Sequence, residues 1–149
     1  MQHTWIFQLA EDIPADQQAP LQASLDRLTA DWKAHGAPVP GEADIRHDRF
    51  VVVQAEPGST SGCSIDAMTH GVEDLLSQAQ LRLLPPNYIF FRHDDGTLDH
   101  LDFRDMPEAI RDGRLHAGTI VYDSSLNQTN DLKRWEVKLQ DSWLARDLG

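Results

Sequence analysis

The sequence has little cysteine and no long apolar run, and both shortages narrow what the chain can be. Its one cysteine, Cys63, excludes an internal disulfide and makes a reducing cytoplasm the simplest location. No stretch of about 18 apolar residues is present, so the sequence predicts no membrane-spanning helix. The first residues lack a basic region followed by an apolar one, and we therefore expect no signal peptide.

Basic residues are scarce as well. Thirteen Lys and Arg side chains face 24 Asp and Glu, which gives a net charge of −11. Nucleic acids and anionic membrane surfaces both attract clustered cations, so we expect no nucleic-acid and no membrane partner. Aspartate outnumbers glutamate 18 to 6, and arginine outnumbers lysine 10 to 3. Such a surface suits a halophilic protein in a high-salt cytoplasm, where salt screens the repulsion. A GC-rich genome, which also favours arginine over lysine, is the alternative explanation.

The length and the 40% apolar content predict a single α+β domain over residues 1–149 with a core of its own. Two main helices are predicted, one capped by Asp16 and ended by Gly36, the other beginning at Ser64. Alternating or β-branched segments predict the strands, which are Thr4–Leu9, Ala43–Arg46, Phe50–Glu56, Tyr88–Asp94, Thr97–Phe103 and Gly118–Tyr122. This order favours an open, mainly antiparallel sheet with the two helices on one face. The architecture expected is a ferredoxin-like βαββαβ core plus a C-terminal extension, with another αβ sandwich topology as the alternative.

Local sequence signals predict the turns and short elements in the second half of the chain. Asp95-Gly96 predicts a two-residue type I′ turn that pairs Arg92 with Asp99. In that register four apolar side chains share one face and enter the core: Tyr88, Phe90, Leu101 and Phe103. A capping box that starts at Asp105 predicts a short helix ending at Gly113. Residues 124–131 are expected to form a polar loop, followed by one helical turn and an extended segment.

The same hairpin carries possible metal ligands. In the predicted register, His93, His100 and Asp102 project from one face, and histidine with carboxylate suits a divalent ion. Their spacing matches no metal motif, and such residues are ordinary near turns. We therefore predict no metal site and no cofactor.

Residues 56–66, Glu-Pro-Gly-Ser-Thr-Ser-Gly-Cys-Ser-Ile-Asp, are the most informative segment. They join an apolar strand to a helix N-terminus, where unpaired N–H groups and the positive end of the helix dipole favour an anion. Two glycines permit unusual backbone angles, and the hydroxyl side chains add donors. The segment therefore predicts an anion-binding turn, formed by Gly58, Ser59, Thr60, Ser61, Gly62 and Ser64.

The segment is not a nucleotide-binding P-loop. Only three residues separate Gly58 from Gly62, where that motif needs four, and Cys63 stands where its lysine would be. Without a lysine, no cation reaches the terminal phosphates of a nucleotide. Glu56 and Asp66 would also repel a polyphosphate.

Two other interpretations of the segment stay open. One is structural: Ser64 is the helix N-cap, and Cys63 before it is buried against Met68 as a hydrophobic staple. The other is chemical: Cys63 at a helix N-terminus acts as a nucleophile or redox thiol. A nucleophile needs a base within hydrogen-bond reach, and His70 lies about 10 Å further along the helix. No motif links another histidine to Cys63.

The block Ser61-Gly62-Cys63-Ser64-Ile65-Asp66 is the specific part of a wider pattern. Weaker elements of that pattern are Trp32–Gly36, Phe50, Glu56 and Ser142-Trp143. With these residues the chain resembles a small family of uncharacterised bacterial proteins of about this length. Some members are catalogued as "ABC transporter ATPase", a label that implies ATP hydrolysis. The chain has neither a lysine-bearing P-loop nor an ABC signature, so its sequence does not support ATP hydrolysis. The resemblance therefore implies a family and almost nothing about function.

Two classes of function remain. The first is a non-catalytic binding or regulatory domain that uses the turn at residues 58–64 for a small anionic ligand or a protein partner. The second is a small thiol-dependent enzyme with Cys63 as its catalytic residue. We expect the first, because no motif supplies Cys63 with a base.

Overall fold

A computed structural model describes residues 3–123 and 132–148, and the chain forms two compact units. Among the described residues, unit 1 ends at Leu84 and unit 2 begins at Pro85. The fold is mixed α+β, and every strand pair of the described sheets is antiparallel. That class agrees with the sequence, whereas a single domain over residues 1–149 stays a prediction.

Unit 1 is built on a three-stranded sheet and two helices. The helices are α1 (Ala15–Ala30) and α2 (Gly62–Gln78). The strands are β1 (His3–Gln8), β2 (Lys33–Ala34), β3 (Ala37–Pro38), β4 (Gly41–Arg46) and β5 (Phe50–Ala55). The sheet has the order β1-β5-β4, and β2 and β3 form a separate hairpin. Its central strand β5 is a β-branched apolar run, which explains why most of it is buried.

The core of unit 1 joins one sheet face to both helices. Trp5 and Val53 from the sheet belong to one buried cluster with Leu25 of α1 and Val72 of α2. Apolar residues three and four apart on each helix place one stripe of each in this cluster.

The start and end of α1 differ from the sequence expectation. The helix follows Pro14, and Asp16 makes no capping hydrogen bond, because it already lies in the first turn. The helix ends at Ala30, before Gly36. His35 and Gly36 have φ of +52° and +80°, and they form the turn of the β2–β3 hairpin. Two successive left-handed residues are typical of a type I′ hairpin turn and cannot extend a helix.

Unit 2 contains a second sheet of four short strands. They are β6 (Tyr88–Arg92), β7 (Leu98–Asp102), β8 (Ile120–Tyr122) and β9 (Glu136–Lys138), in the order β7-β6-β8-β9. Helix α3 (Met106–Arg111) follows a 3₁₀ turn at Phe103–Asp105, and Asp105 makes no side-chain cap bond. Gly113, with φ of +85°, comes just after the helix as predicted. A 3₁₀ turn at Leu132–Arg134 precedes β9, which confirms the expected helical turn and extended segment. The polar loop predicted at residues 124–131 lies outside the described residues.

The register of the β6–β7 hairpin is one residue away from the predicted one. Arg92 pairs with Leu98, and Phe91 pairs with Asp99. Only Gly96 has a positive φ, and the N–H of His93 donates to the carbonyl of Thr97 at 2.8 Å. The loop therefore has three residues with a glycine bulge instead of a type I′ turn. Because of this shift, the four side chains predicted to share a face do not. Leu101 and Phe103 pack in one core cluster with Ile89 and Phe91, whereas Phe90 is buried, as predicted, but outside that cluster.

The ferredoxin-like βαββαβ core is not confirmed. Its strands would form one sheet, but β1, β4 and β5 belong to one sheet and β6 to another. No helix in the described ranges is long and apolar enough to cross a membrane.

Candidate functional site

The segment between β5 and α2 begins with a tight turn. Gly58 has φ of +81° and follows Pro57, the pattern of a type II turn. Both the N–H and the hydroxyl of Ser59 donate to the carbonyl of Glu56, at 3.2 and 2.6 Å. The Ser59 hydroxyl is therefore used inside the turn, and it is not available as a donor to a ligand.

A capping box starts α2, and its N-cap is Ser61. The N–H of Ser64 donates to Ser61 Oγ at 3.1 Å, and the N–H of Ser61 donates to Ser64 Oγ at 2.7 Å. The Ser64 hydroxyl in turn donates to the Ser61 carbonyl at 2.9 Å. The sequence expectation of Ser64 as N-cap is wrong, because Ser64 takes the third helical position and the reciprocal role in the box.

This change moves Cys63 as well. With Ser61 as N-cap, Cys63 becomes the second residue of the helix, and its side chain is exposed. The expected staple, a buried Cys63 packed on Met68, is therefore wrong. Met68 itself is buried, since it lies on the stripe that faces the core.

The start of α2 presents unused donors. In the described part of the chain, the N–H groups of Gly62 and Cys63 make no hydrogen bond, as expected at the first two helical positions. Ser61 Oγ accepts from the helix, which leaves its proton to donate outward. Thr60 adds a half-buried hydroxyl. The first turn contains no acidic residue, so no side chain of this turn neutralises the positive end of the helix dipole.

A hydrogen bond joins the β2–β3 hairpin to the start of α2. The buried indole Nε1 of Trp32 donates to the carbonyl of Ser64 at 2.8 Å. Gly41 leaves room for that indole, because a Cβ there would lie 2.8 Å from the Trp32 ring. Lys33 and His35 of the hairpin are exposed, and Lys33 forms no ion pair with any residue described. The sequence analysis missed this pairing of segments, although both belong to the pattern that carries the family resemblance.

Within the ranges that the structure covers, the exposed Cys63 makes no hydrogen bond to a histidine or a carboxylate that would act as its base. His70, the histidine nearest to Cys63 in the sequence, lies on an exposed face of α2. A nucleophilic cysteine needs such a partner to be activated.

The histidine and aspartate side chains in and near the β6–β7 hairpin form separate pairs and not one cluster of metal ligands. His93 Nε2 lies 2.8 Å from Asp99, and His116 Nε2 lies 3.0 Å from Asp94. Burial is the largest single effect on Asp99 and raises its pKa. The hydrogen bonds from His93 and from the His100 N–H, together with the charges of the two histidines, outweigh burial, so the pKa of Asp99 is lower than usual. His100 packs instead on the ring of Phe90. Over residues 3–123 and 132–148, no three His, Cys, Asp or Glu side chains come together as a metal site requires.

No protein-family model, curated protein or solved structure matches this chain. The features of this chain that point to a function are therefore the α2 start and the hairpin beside it.

Proposed function

We propose that this protein is a non-catalytic binding domain that holds a small anionic ligand at the N-terminus of α2. One observation carries the proposal: the 2.8 Å hydrogen bond from Trp32 to Ser64 fastens the hairpin that bears Lys33 to a helix start with unpaired N–H groups. Backbone donors and a helix dipole together favour negative charge. An unpaired lysine on the attached hairpin adds to that preference.

The donor set and its surroundings favour a compact ligand of low charge. The donors offered are the N–H groups of Gly62 and Cys63 and the hydroxyls of Thr60 and Ser61. Glu56 and Asp66 are exposed on either side of the turn and oppose a highly charged polyphosphate. The proposal therefore needs neither a nucleotide nor any other cofactor.

The expectations on family and location are part of the same proposal. The residues that carry the resemblance to the bacterial family include both Trp32–Gly36 and the Ser61–Asp66 block, and the Trp32–Ser64 hydrogen bond joins these two segments. This supports membership of that family in a binding role. A cytoplasmic location is proposed because Cys63 has no partner cysteine in the chain.

Gly62 allows a test that removes one donor and keeps the helix. It is the first helical residue, where proline is favoured, and a Cβ there meets nothing within 4 Å. Ser61, with φ of −127° and ψ of 168°, has the extended backbone that a following proline requires. Gly62→Pro therefore deletes the N–H alone, and Gly62→Ala is its matched control.

Inorganic phosphate at low ionic strength serves as the probe, with binding measured by calorimetry. A lost charge-assisted hydrogen bond is worth about 1.5 kcal/mol, so Gly62→Pro should raise the Kd about tenfold. Gly62→Ala should bind as the wild type does. Equal Kd values for the proline and alanine variants would contradict the proposed site.

The thiol-dependent enzyme is the second candidate, favoured by the exposure of Cys63. The two proposals differ in what Cys63→Ser does. Under the binding proposal phosphate affinity is unchanged, because Ser keeps the backbone N–H. Under the enzyme proposal Cys63 is indispensable to the activity.

A further inference from the structure

A groove at the other end of α2 is separate from the proposed anion site. Three cavities of about 450, 340 and 170 Å³ adjoin there. The smallest shares Gln80, Leu81 and Arg82 with the 450 Å³ cavity, and it shares Gln17 and Ala79 with the 340 Å³ cavity. We call this surface the α1–α2 groove. It lies near the C-terminus of α2, and this helix of 17 residues is about 24 Å long.

The floor of the α1–α2 groove is apolar in the 340 Å³ cavity. There Pro20 and Leu21 of α1 lie opposite Leu75 of α2 and Ala79, the residue that follows the helix. Along α1 this cavity extends from Asp16 to Ser24, about 12 Å at the rise of a helix. A surface of this length between two packed helices accommodates two turns of a third helix.

The rim of the groove is acidic. Five carboxylates line it against one cation, Arg82, and they are Glu11, Asp12, Asp16, Glu73 and Asp74. Asp12 pairs with Arg49 at 3.4 Å, whereas the other four form no ion pair with a described residue. Unit 1 has 12 acidic and 5 basic side chains up to Leu84, so much of its negative charge lies here. The last turn of α2 contains no basic residue, and the negative end of its dipole adds to this charge.

One polar atom of the groove lacks a partner. Gln17 Oε1 is buried and makes no hydrogen bond, and Gln17 lines both smaller cavities. A buried acceptor of this kind normally has a donor, and Gln17 has none among the described residues.

We propose that the α1–α2 groove docks a basic amphipathic helix of a partner protein. The apolar side chains of that helix lie over Leu21 and Leu75, and its Lys and Arg side chains meet the carboxylates of the rim. Charge complementarity selects this occupant, because an acidic helix or a second copy of this acidic chain would be repelled. The proposal goes beyond the anion site and does not depend on it.

The test uses a fluorescein-labelled peptide of about 18 residues, made only of leucine and lysine in a helical repeat. Its affinity is measured by fluorescence anisotropy at low salt. The double variant Asp16→Asn with Glu73→Gln should weaken binding about fivefold, since it removes two rim charges. The matched double variant Asp31→Asn with Glu42→Gln removes two exposed charges of unit 1 that do not line the groove, and it should bind as the wild type does.

Two further peptides separate charge from shape. A leucine–glutamate peptide should not bind, and a serine–lysine peptide should bind at least fivefold more weakly than the leucine–lysine peptide. Equal weakening by the two double variants would contradict the proposal, as would equal binding of the serine–lysine peptide. Failure of the leucine–lysine peptide to bind the wild-type chain would contradict it as well.

Discussion

At the scale of single residues, the position of the N-cap decides what Cys63 can do. Moving the cap from Ser64 to Ser61 adds three residues to the start of the helix. Cys63 then changes from an expected core position to an exposed one. The two serines are equally good caps by residue type. In the structure Ser61 is the cap, and Trp32, which is distant in sequence, donates to the Ser64 carbonyl.

Exposure of Cys63 leads to a prediction about its labelling. Iodoacetamide should alkylate Cys63 in the native protein at neutral pH without denaturant, because no packing blocks the sulfur. Quenched time points analysed by mass spectrometry give the rate. Labelling that needs denaturant would show that Cys63 is buried, and a rate far above that of free cysteine would favour the thiol enzyme.

At the scale of elements, hydrogen-bonded capping motifs terminate α2 at both ends. Its C-terminus has a Schellman motif, in which the N–H of Leu81 donates to Leu76 at 2.9 Å and that of Gln80 to Ser77 at 3.0 Å. The motif places Gln80 at φ of +60°, a left-handed conformation that glycine adopts without strain.

Gln80→Gly should therefore stabilise the protein. Relief of the left-handed strain exceeds the added entropy of the unfolded chain, and we expect a gain of about 0.5–1 kcal/mol. Urea denaturation measures the change in the free energy of unfolding. The control Gln78→Gly, inside the helix, should lose about 0.5–1 kcal/mol. A destabilised Gln80→Gly variant would argue against the left-handed conformation.

Sequence patterns predicted the elements better than their connections. The run Phe50–Val53 indicates a strand by composition alone, and the stripe Met68, Val72 and Leu76 indicates a helix. Turn geometry was harder: His35-Gly36 serves either as a helix stop or as a hairpin turn, and the structure uses the second. Asp94-Asp95-Gly96 accepts a turn of two or three residues, and the extra residue changes which side chains are paired across the two strands.

At the scale of the whole molecule, the pairing of distant strands determines the sheets, and the net charge affects the stability of the fold. Neither the division into two units nor the separate sheets follows from local patterns, because both depend on which distant strands pair. Charge is different, since the net value of −11 follows directly from composition. At this charge, repulsion between carboxylates weakens the folded state.

Molar KCl should therefore raise the melting temperature by several degrees, because screening relieves that repulsion. Calorimetry at increasing KCl and neutral pH measures the effect. At a pH of about 4.8, the pI calculated from the sequence, the same salt series should produce a smaller rise. A melting temperature that stays constant or falls in KCl at neutral pH would rule out the halophilic interpretation.

The central claim is that the start of α2 binds an anion, and backbone amide chemical shifts test it most directly. In a titration of the ¹⁵N-labelled protein with inorganic phosphate at low ionic strength, the Gly62 and Cys63 amides should show the largest shifts, and these should saturate with one Kd. The amides at the far end of α2, such as Gln78, should not move. Shifts that do not saturate, or that spread evenly over the chain and spare Gly62 and Cys63, would contradict the account.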